Sequence, residues 1–476
     1  MLRIQNTYGK KVEIFNPWNE SIVNMYVCGP TVYDYTHIGH ARTFVVFDAI
    51  KRYLSLKGYN IVYVQNITDI DDKIINRAKE KNVPWQEIAN TYAIDYLNNL
   101  NKLNIKIDIH PRVTNHINEI INFIQNLIDK GYAYVSQSGS VYFSVDKYPN
   151  YGRLSNNFNK AYWNQGEGIV SEKKNPYDFA LWKSYKEGEP YWESPWGKGR
   201  PGWHIECSVM SSRYLGNKID IHGGGSDLIF PHHENEIAQS EAYFGSSPWV
   251  KYWLHTSMLT IKGEKMSKSL GNIISLNDAI NTWGSNVLRL WLLSSHYRAI
   301  IEYSEQSLNQ AKRLYERLNA LSQEIVKRLK KEEYTSYMNN DDLEAFNNLK
   351  ELISKWHDAM DNDFNMSEAI RYVWDLTDLY YKKIQNSESY ALISYTYKVL
   401  QDMNKVYGVL DDVLTLDLHI EKNLTPELID LILEVRKQLR ENKLYDLADQ
   451  IRSKLSSIGV KIIDKGNKSD YLITNE

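Results

Sequence analysis

The stretch Cys28-Gly-Pro-Thr-Val-Tyr-Asp-Tyr-Thr-His-Ile-Gly-His40 joins a predicted strand to a predicted helix. An apolar run over residues 22–27 precedes it, and apolar residues at helical spacing follow it over residues 44–54. Because the free N–H groups at a helix start bind anions, phosphates above all, the stretch predicts a phosphate-binding turn. In this turn His37 and His40 would donate hydrogen bonds to phosphate oxygens. Turn histidines can also be helix caps or surface residues, and the stretch alone leaves that alternative open.

A second strand-to-helix junction follows the first. Residues 59–67 are β-branched and aromatic, which is typical of a buried parallel strand. They end in the polar cluster Thr68-Asp-Ile-Asp-Asp-Lys73. Open α/β sheets bind ligands at the carboxyl ends of their strands, and a right-handed crossover places this junction beside the first. The pattern predicts an α/β fold with a Rossmann-type parallel sheet.

The alternation of strands and helices is interrupted between about 132 and 200. Short paired strands and a loop rich in Gly, Pro and Trp predict an insertion there, between two halves of one sheet that resumes at about 203. We therefore predict a catalytic domain over residues 1–273. Helical periodicity predicts a helical bundle over 274–415, and the last residues, 416–476, predict a small helical module with a β-like tail.

Length and composition set the broad class. A chain of 476 residues predicts two to four domains, and 43% hydrophobic and 24% charged residues are typical of a globular protein. The formal net charge of -3 indicates that any RNA contact must come from local basic patches. We find no apolar core of a signal peptide at the start and no apolar run that could span a bilayer, so we expect a cytoplasmic protein.

The cysteines and one histidine–glutamate pair suggest a metal site. Cys28 and Cys207 are the only cysteines, which excludes a disulfide framework. His232 and Glu236 lie four residues apart at the start of a helical segment, so both project from one face. Two thiolates, an imidazole and a carboxylate form a suitable set of zinc ligands, with His233 as a rival ligand. Residue spacing alone favours buried structural residues over a metal site.

Two further segments carry polar groups. Lys265-Met-Ser-Lys-Ser269 follows Gly263 and precedes a helical run, and lysines flanking a serine turn can follow a polyphosphate chain. A basic surface loop would look the same. Gly223-Gly-Gly-Ser-Asp227 follows a predicted strand, and its glycines allow the backbone to approach a ligand. Asp227 can bind an ammonium group or a ribose hydroxyl, although a tight turn also explains this segment.

Together, in this order on one divided sheet, the segments resemble the class I aminoacyl-tRNA synthetases. His37-Ile-Gly-His40 and Lys265-Met-Ser-Lys-Ser269 carry the resemblance to the class. Within the class, the chain is similar to the cysteinyl-tRNA synthetase family over nearly its whole length. The segments that carry this similarity are Tyr26-Val-Cys-Gly-Pro-Thr-Val-Tyr-Asp34, Asn66-Ile-Thr-Asp-Ile-Asp-Asp-Lys73, Pro201-Gly-Trp-His-Ile-Glu-Cys-Ser208, His222-Gly-Gly-Gly-Ser-Asp-Leu-Ile-Phe-Pro-His-His-Glu-Asn-Glu236 and Met360-Asp-Asn-Asp-Phe-Asn-Met-Ser-Glu-Ala369.

The resemblance implies a cysteine–tRNA ligase chemistry. Such an enzyme activates L-cysteine with ATP to cysteinyl adenylate and then transfers the cysteinyl group to the 3′ end of tRNA(Cys). The resemblance also implies one zinc ion per chain, bound by Cys28, Cys207, His232 and Glu236. Cysteine and serine have nearly the same shape, so shape alone separates them poorly. A soft thiolate binds zinc far better than a hydroxyl does, so zinc would select the substrate.

The resemblance assigns roles to other residues as well. Mg²⁺ is expected to accompany ATP and to share the charge of its phosphates. The implied catalytic residues are His37, His40, Lys265 and Lys268. The implied ATP-binding residues are His37, Gly39, His40 and Lys268. The implied residues of the cysteine and adenylate pocket are Thr68, Trp203 and Asp227.

The C-terminal part departs from the family pattern. The family has an aromatic residue near Lys443 and a tail similar to Gly-Thr-x-Trp, whereas here Tyr445 or Tyr471 would have to stack on anticodon bases. Residues 436–468 hold nine Lys or Arg against four Asp or Glu, which predicts a basic patch that follows an RNA backbone. A solvated amphipathic face is the alternative. We interpret residues 416–476 as an anticodon-recognition module.

Three other functions remain as alternatives. A related ATP-dependent ligase of mycothiol synthesis joins cysteine to an amino sugar and would share the zinc and phosphate sites, but it needs no basic tRNA-binding module. A zinc hydrolase needs an open metal position and a general base, and would leave the lysine–serine loop unexplained. A non-catalytic RNA-binding relative would not need the histidine and lysine motifs. We expect a monomer that binds cysteine, ATP and tRNA and has no membrane partner.

Overall fold

The computed structural model divides the chain into two compact units, Met1–Leu414 and Thr415–Glu476. The three-domain division at about 273 and 415 stays a prediction. The residues that the structure describes are 1–163, 165, 168–266, 271–330, 335, 337–414, 425–457, 460–465 and 468–473.

The first unit contains a part with both strands and helices, followed by a run of helices, and the second unit adds two helices and a strand pair. The strands are β1 (Arg3–Asn6), β2 (Lys11–Ile14), β3 (Ile22–Val27), β4 (Asn60–Gln65), β5 (Ala133–Val135), β6 (Val141–Phe143), β7 (Phe179–Ser184), β8 (Gly199–Pro201), β9 (Ile219–Gly225), β10 (Val250–Thr256), β11 (Leu259–Ile261), β12 (Glu264–Lys265), β13 (Ile301–Glu302), β14 (Val460–Lys465) and β15 (Lys468–Ile473). The helices are α1 (Ile38–Leu56), α2 (Asp72–Lys81), α3 (Trp85–Lys102), α4 (Ile117–Asp129), α5 (Trp203–Leu215), α6 (Glu234–Phe244), α7 (Leu276–Trp283), α8 (Ser285–Leu293), α9 (Glu305–Leu329), α10 (Asn340–Asp361), α11 (Met366–Leu379), α12 (Tyr390–Tyr407), α13 (Thr425–Glu441) and α14 (Tyr445–Ser457).

The central sheet has the strand order β10-β9-β3-β4, and every pair in it is parallel. The two halves of the sheet meet where β3 pairs with β9. The intervening strands β5 to β8 form a separate antiparallel sheet, so they lie in an insertion. This confirms the predicted Rossmann-type sheet divided by an insertion.

The alternation of side chains along β3 assigns the two faces of the sheet. Val23, Met25 and Val27 belong to the core that also contains the buried side chains of α1. Tyr26 and Cys28 belong to the second core, which is shared with α5 and the insertion. Successive residues of a strand point to opposite faces. The Cys28 thiol and helix α1 therefore lie on opposite faces of the sheet.

In the helical part that follows the sheet, apolar residues at the predicted helical spacing are buried. Leu288, Trp291 and Leu292 of α8 are buried in the same core as α1. Asp48 of α1 is fully buried and binds Arg289 of α8, so a buried ion pair joins the sheet domain to the bundle. None of the helices that the structure describes is long and apolar enough to cross a lipid bilayer.

The second unit contains α13, α14 and the antiparallel pair β14–β15. Its small core has contributions from both helices and from β14: Ile429, Leu433, Leu455, Val460 and Ile462. Tyr445, at the start of α14, has 56% of its surface exposed. The side chain of Tyr471, the other predicted stacking residue, lies outside the part of the chain that is described.

Candidate metal and nucleotide site

The predicted site residues converge at the carboxyl edge of the central sheet. A cavity of about 330 Å³ opens there between the ends of β3, β4 and β9. The carboxyl edge is where open α/β sheets bind ligands, so the placement agrees with the sequence analysis. The predicted residues that line the cavity are Cys28, His37, Gly39, His40, Thr68, Trp203, Cys207, Asp227, His232 and Lys265.

The four predicted metal ligands form one buried cluster. Cys28, Cys207, His232 and Glu236 each offer one ligand atom, and these atoms lie within 4.8 Å of one another. The two Sγ atoms are 3.7 Å apart, and Cys28 Sγ is 3.4 Å from Glu236 Oε1. His232 Nε2 lies 2.9 Å from the same carboxylate oxygen. Four elements of the chain thus bring two thiols, an imidazole and a carboxylate to one point.

The electrostatics of the cluster fit a bound cation. Burial raises the pKa of the Cys207 thiol, but hydrogen bonds with Cys28 and His232 outweigh burial and lower that pKa to about 6. Burial lowers the pKa of His232, but the Glu236 charge and a hydrogen bond with Cys207 raise it to about 10. A protonated imidazole thus balances buried negative charge. A zinc ion suits this donor set and would supply the same balance.

The rival ligand His233 also lies near the cluster. Its Nε2 is 3.2 Å from Cys28 Sγ, and a second candidate set joins Cys28, His222, His233 and Glu236. The two sets share one thiol and the carboxylate, but only the first contains both thiols. His233 also uses its other ring nitrogen, because Nδ1 lies 2.7 Å from His255 Nε2. The donor chemistry therefore favours the set with Cys207.

Neighbouring side chains hold the candidate ligands in place. His222 Nε2 lies 2.7 Å from Glu236 Oε2, and His204 Nδ1 lies 3.0 Å from His232 Nδ1. Neither contact can be predicted from the sequence, because the two pairs of residues lie 14 and 28 positions apart with no spacing signal. Such partners orient metal ligands and fix the tautomer of an imidazole.

The helix α1 begins at the other side of the cavity. His37 is its N-cap, since its Nδ1 accepts a hydrogen bond from the backbone N–H of His40 at 3.3 Å. The two imidazole rings stack with centroids 3.7 Å apart. Loss of hydration, together with the nearby His37 and Lys73, lowers the pKa of His40 well below its usual value. The histidines are thus both helix caps and cavity-lining groups, with His40 a neutral donor at pH 7.

The predicted phosphate loop is described only in part. Lys265 ends β12, is exposed and lines the cavity together with Met266. Gly39 packs against the loop, because a Cβ there would lie 2.7 Å from Met266 Cε. Lys268 lies outside the described residues. The loop therefore begins beside the start of α1.

The three glycines that end β9 differ from the expectation that all of them allow the backbone to approach a ligand. A Cβ at Gly223 would lie 2.1 Å from the Phe47 ring, and one at Gly224 would lie 2.8 Å from Leu228 Cδ1. These two glycines make room for side chains of the protein itself. Gly225 alone of the three lines the cavity.

The predicted pocket residues occupy different walls. Thr68 is buried, and its hydroxyl donates to Glu206 Oε2 at 2.8 Å, so part of its hydrogen-bonding capacity is already used. Asp227 is exposed at the cavity rim. Trp203 starts α5 one turn before Cys207, so the two side chains share a helix face.

The sequence of residues 14–313 matches the protein-family model described as the tRNA synthetases class I (C) catalytic domain. Cysteine–tRNA ligase of Aeropyrum pernix is 57% identical, over 99% of both chains. This chain belongs to the cysteine–tRNA ligase family. The cysteine–tRNA ligases of Saccharolobus solfataricus and Pyrococcus horikoshii are 53% and 47% identical, and each comparison covers at least 98% of both chains. The resemblance found in the sequence is thereby confirmed at the level of the family.

Comparison with solved structures shows that this cysteine–tRNA ligase family chain has the class I fold. A LeuRS of Agrobacterium radiobacter K84, in a ternary complex with tRNA, superposes with a TM-score of 0.64 at 11% identity, covering 85% of this chain and 86% of the other. The methionyl-tRNA synthetase of Mycobacterium tuberculosis superposes with a TM-score of 0.62 at 17% identity, covering 87% and 94%. At these identities the likeness concerns the fold alone.

Proposed function

We propose that this chain is a cysteine–tRNA ligase. In the first step, a carboxylate oxygen of L-cysteine attacks the α-phosphorus of ATP, the bond to the bridging oxygen breaks, and pyrophosphate leaves. In the second step, a ribose hydroxyl at the 3′ end of tRNA(Cys) loses its proton and attacks the carbonyl carbon, and AMP leaves. The observation that carries the proposal is the buried cluster of Cys28, Cys207, His232 and Glu236 beside the histidine-capped start of α1 in one cavity.

The metal cluster would recognise the substrate sulfur. Cys28, Cys207, His232 and Glu236 would hold one zinc ion. A zinc ion supplies a soft Lewis acid that binds a thiolate far better than a hydroxyl. The four side chains are buried, so their donor atoms are largely shielded from bulk water. We infer that this chain rejects serine through the chemistry of sulfur and not through shape.

The start of α1 would bind the phosphates of ATP. Free backbone N–H groups at a helix N-terminus favour anions, and the imidazoles of His37 and His40 line the same wall. A neutral His40 can donate a hydrogen bond to a phosphate oxygen without repelling Lys265. Lys265 and Lys268 would hold the leaving pyrophosphate, and Mg²⁺ would share its charge. Thr68, Trp203 and Asp227 would bind the amino acid and the adenylate.

The C-terminal unit would contact the anticodon of the tRNA. Its residues 436–468 hold nine basic side chains against four acidic ones, in a chain of net charge -3. Tyr445 is exposed at the start of α14 and would stack on a base. The relatives match this chain over 99% of its length, including this unit. Nothing favours the amino-sugar ligase of mycothiol synthesis. The cytoplasmic location and the monomeric state stay predictions.

The proposal is tested by ATP–pyrophosphate exchange with cysteine or serine, followed by charging of tRNA(Cys). We expect exchange that depends on cysteine, little exchange with serine, and cysteinyl-tRNA as the product. Equal exchange with both amino acids would reject selection by zinc. Exchange with cysteine but charging of an amino sugar instead of tRNA would favour the rival ligase.

A further inference from the structure

Residues 360–369 carry part of the family resemblance, but the proposed function gives them no role. They contain the turn between α10 and α11. In this turn Asp363 and Phe364 have positive φ values of 57° and 51°. This left-handed conformation is uncommon for residues other than glycine, and two such residues in succession persist only where the surrounding structure holds them. The contacts of the turn show what holds it.

The carboxylate of Asp363 gathers donors from two distant segments. Its Oδ1 accepts hydrogen bonds from the Tyr297 hydroxyl at 2.7 Å and from the backbone N–H of Gln5 at 2.9 Å. Its Oδ2 accepts from Arg298 Nε at 2.9 Å. The backbone N–H of Asp363 donates to the carbonyl of Arg3 at 2.8 Å. The turn thus binds β1 and the segment that follows α8 to one buried carboxylate.

The segment bound by Asp363 supports the start of the predicted phosphate loop. The carbonyl of Tyr297 accepts a hydrogen bond from the backbone N–H of Ser257 at 2.8 Å, and Ser257 lines the cavity of the candidate site. A few residues further on, β13 pairs with β11. β11 pairs in turn with β12, which ends at Lys265. A continuous series of hydrogen-bonded segments therefore connects Asp363 to Lys265.

The other end of the predicted phosphate loop is attached without Asp363. The backbone N–H of Ile38 donates to the carbonyl of Ile274 at 3.2 Å, and the backbone N–H of Leu276 donates to the carbonyl of Thr36 at 2.8 Å. Both contacts join the loop end to the turn before α1. The position of Lys265 against the start of α1 therefore depends on two anchors, and Asp363 holds the first of them.

We propose that Asp363 is a positioning residue that, through Tyr297 and Arg298, fixes Lys265 beside the phosphates of ATP. This inference rests on the proposed function. Asp363 does not line the cavity, so it acts through the segments that it binds. Its loss displaces Lys265 and weakens the contacts with ATP and with the leaving pyrophosphate. The candidate metal ligands lie on other elements, so their geometry is kept.

The variant Asp363→Asn of the full chain tests this role. Asparagine keeps the size of the side chain and tolerates a positive φ, but it lacks the charge that binds Arg298. We expect kcat/KM for ATP in cysteine-dependent pyrophosphate exchange to fall about tenfold, because a small misplacement of a binding group is costly. The KM for cysteine and the zinc content should stay within about twofold. Single-turnover transfer from preformed adenylate to tRNA should also stay within about twofold, because pyrophosphate has already left.

A second variant and a matched control separate positioning from folding. Tyr297→Phe removes only the hydroxyl that donates to Asp363, so we expect the same selective loss at about threefold. Asp361→Asn is the control, because Asp361 lies in the same segment and, like Asp363, is 8% exposed. Asp361 accepts from the Tyr53 hydroxyl at 2.7 Å and from Lys57 Nζ at 3.1 Å, both on or next to α1. Asp361→Asn should lower the Tm but leave kcat/KM for ATP within about twofold.

A double-mutant cycle tests whether the effect passes through Lys265. Substitutions at coupled residues are not additive. In a chain that already carries Lys265→Ala, we expect Asp363→Asn to lower kcat/KM for ATP by less than about threefold. A full additional loss of about tenfold would overturn the connection to Lys265.

The remaining outcomes separate this inference from the proposed function. Equal losses for ATP, for cysteine and for transfer to tRNA in Asp363→Asn and Tyr297→Phe would show a general structural role and overturn the proposal. An unchanged kcat/KM for ATP in both variants would overturn it as well, and so would the same selective loss in Asp361→Asn. No cysteine-dependent exchange by the unchanged chain would instead reject the proposed function itself.

Discussion

The indole of Trp203 lies nearly flat against the imidazole of His232, with ring centroids 4.3 Å apart and 24° between the planes. His204 Nδ1 approaches the same imidazole at 3.0 Å. The His232 imidazole is therefore held by stacking of Trp203 on its face and by the neighbouring His204 at its edge. Trp203 also lines the cavity at the carboxyl edge of the central sheet, together with Cys207 and His232.

Replacing Trp203 by Ala should weaken metal binding. Partners that orient a metal ligand are worth about 10- to 100-fold in affinity, and stacking contributes about 0.5–1.5 kcal/mol of this. We expect roughly tenfold weaker zinc binding in competition with a chromogenic chelator. Trp203→Phe keeps an aromatic face and should lose much less. Equal affinities of the Ala variant and the unchanged chain would contradict the role of stacking.

Metal content distinguishes the two candidate ligand sets. Cys207 belongs only to the first set and His233 only to the second. We expect purified Cys207→Ser to contain far less than one zinc per chain, because a hydroxyl replaces a soft donor. His233→Gln should keep about one zinc per chain. The reverse result, measured by plasma emission spectrometry, would assign the metal to the second set.

The sequence predicts the parts of the site that are local in the chain. The turn from Cys28 to His40 is predicted by the strand pattern before it and the helix pattern after it. The pair of His232 and Glu236 is predicted by its four-residue spacing. The contacts of His222 with Glu236 and of His204 with His232 are not, since they depend on the arrangement of distant segments. Gly223 shows a further limit of prediction from sequence. A glycine that makes room for a packed side chain looks the same in the sequence as one that contacts a ligand. Only the position of the Phe47 ring in the fold shows that Gly223 is of the first kind.

The buried ion pair between Asp48 and Arg289 should be important for stability. Asp48 has no exposed surface, and Arg52 Nε also binds it at 2.7 Å. Removing one partner leaves a buried charge unpaired, which costs about 3–5 kcal/mol. We expect Asp48→Ala to lower the free energy of unfolding by about this amount in urea denaturation. The exposed pair of Arg317 and Asp378 is the control, and Asp378→Ala should change stability little.

The ion pairs of Asp72 should make part of the stability depend on pH. Burial raises the pKa of Asp72, but the charges of Lys183 and Arg200 outweigh burial and lower it below its usual value. A carboxylate with a lowered pKa in the folded state contributes stability above its unfolded pKa of about 4 and loses it as the pH falls through the folded value.

The variant Asp72→Asn isolates this contribution. We expect its Tm to lie below that of the unchanged chain at pH 7, because Lys183 and Arg200 lose their anionic partner. The gap in Tm should narrow as the pH falls below about 4 and through the lowered folded pKa, because protonation of the carboxyl then removes the same charge from the unchanged chain. A gap that is constant from pH 7 to 3, measured by calorimetry, would exclude an ionic origin.

Tyr445 should contribute to tRNA charging and not to adenylate formation. Its ring is 56% exposed, and Arg440 and Lys443 precede it in a basic segment. Stacking of a base on an aromatic ring is worth about 1–3 kcal/mol, so Tyr445→Ala should raise the KM for tRNA by roughly fivefold or more. Pyrophosphate exchange should stay unchanged, because the ATP and cysteine sites lie in the first unit. Tyr337→Ala removes a still more exposed tyrosine, 72% exposed, from the first unit and controls for a general effect of losing a surface ring. Equal KM values in the two variants would mean that the anticodon is read elsewhere.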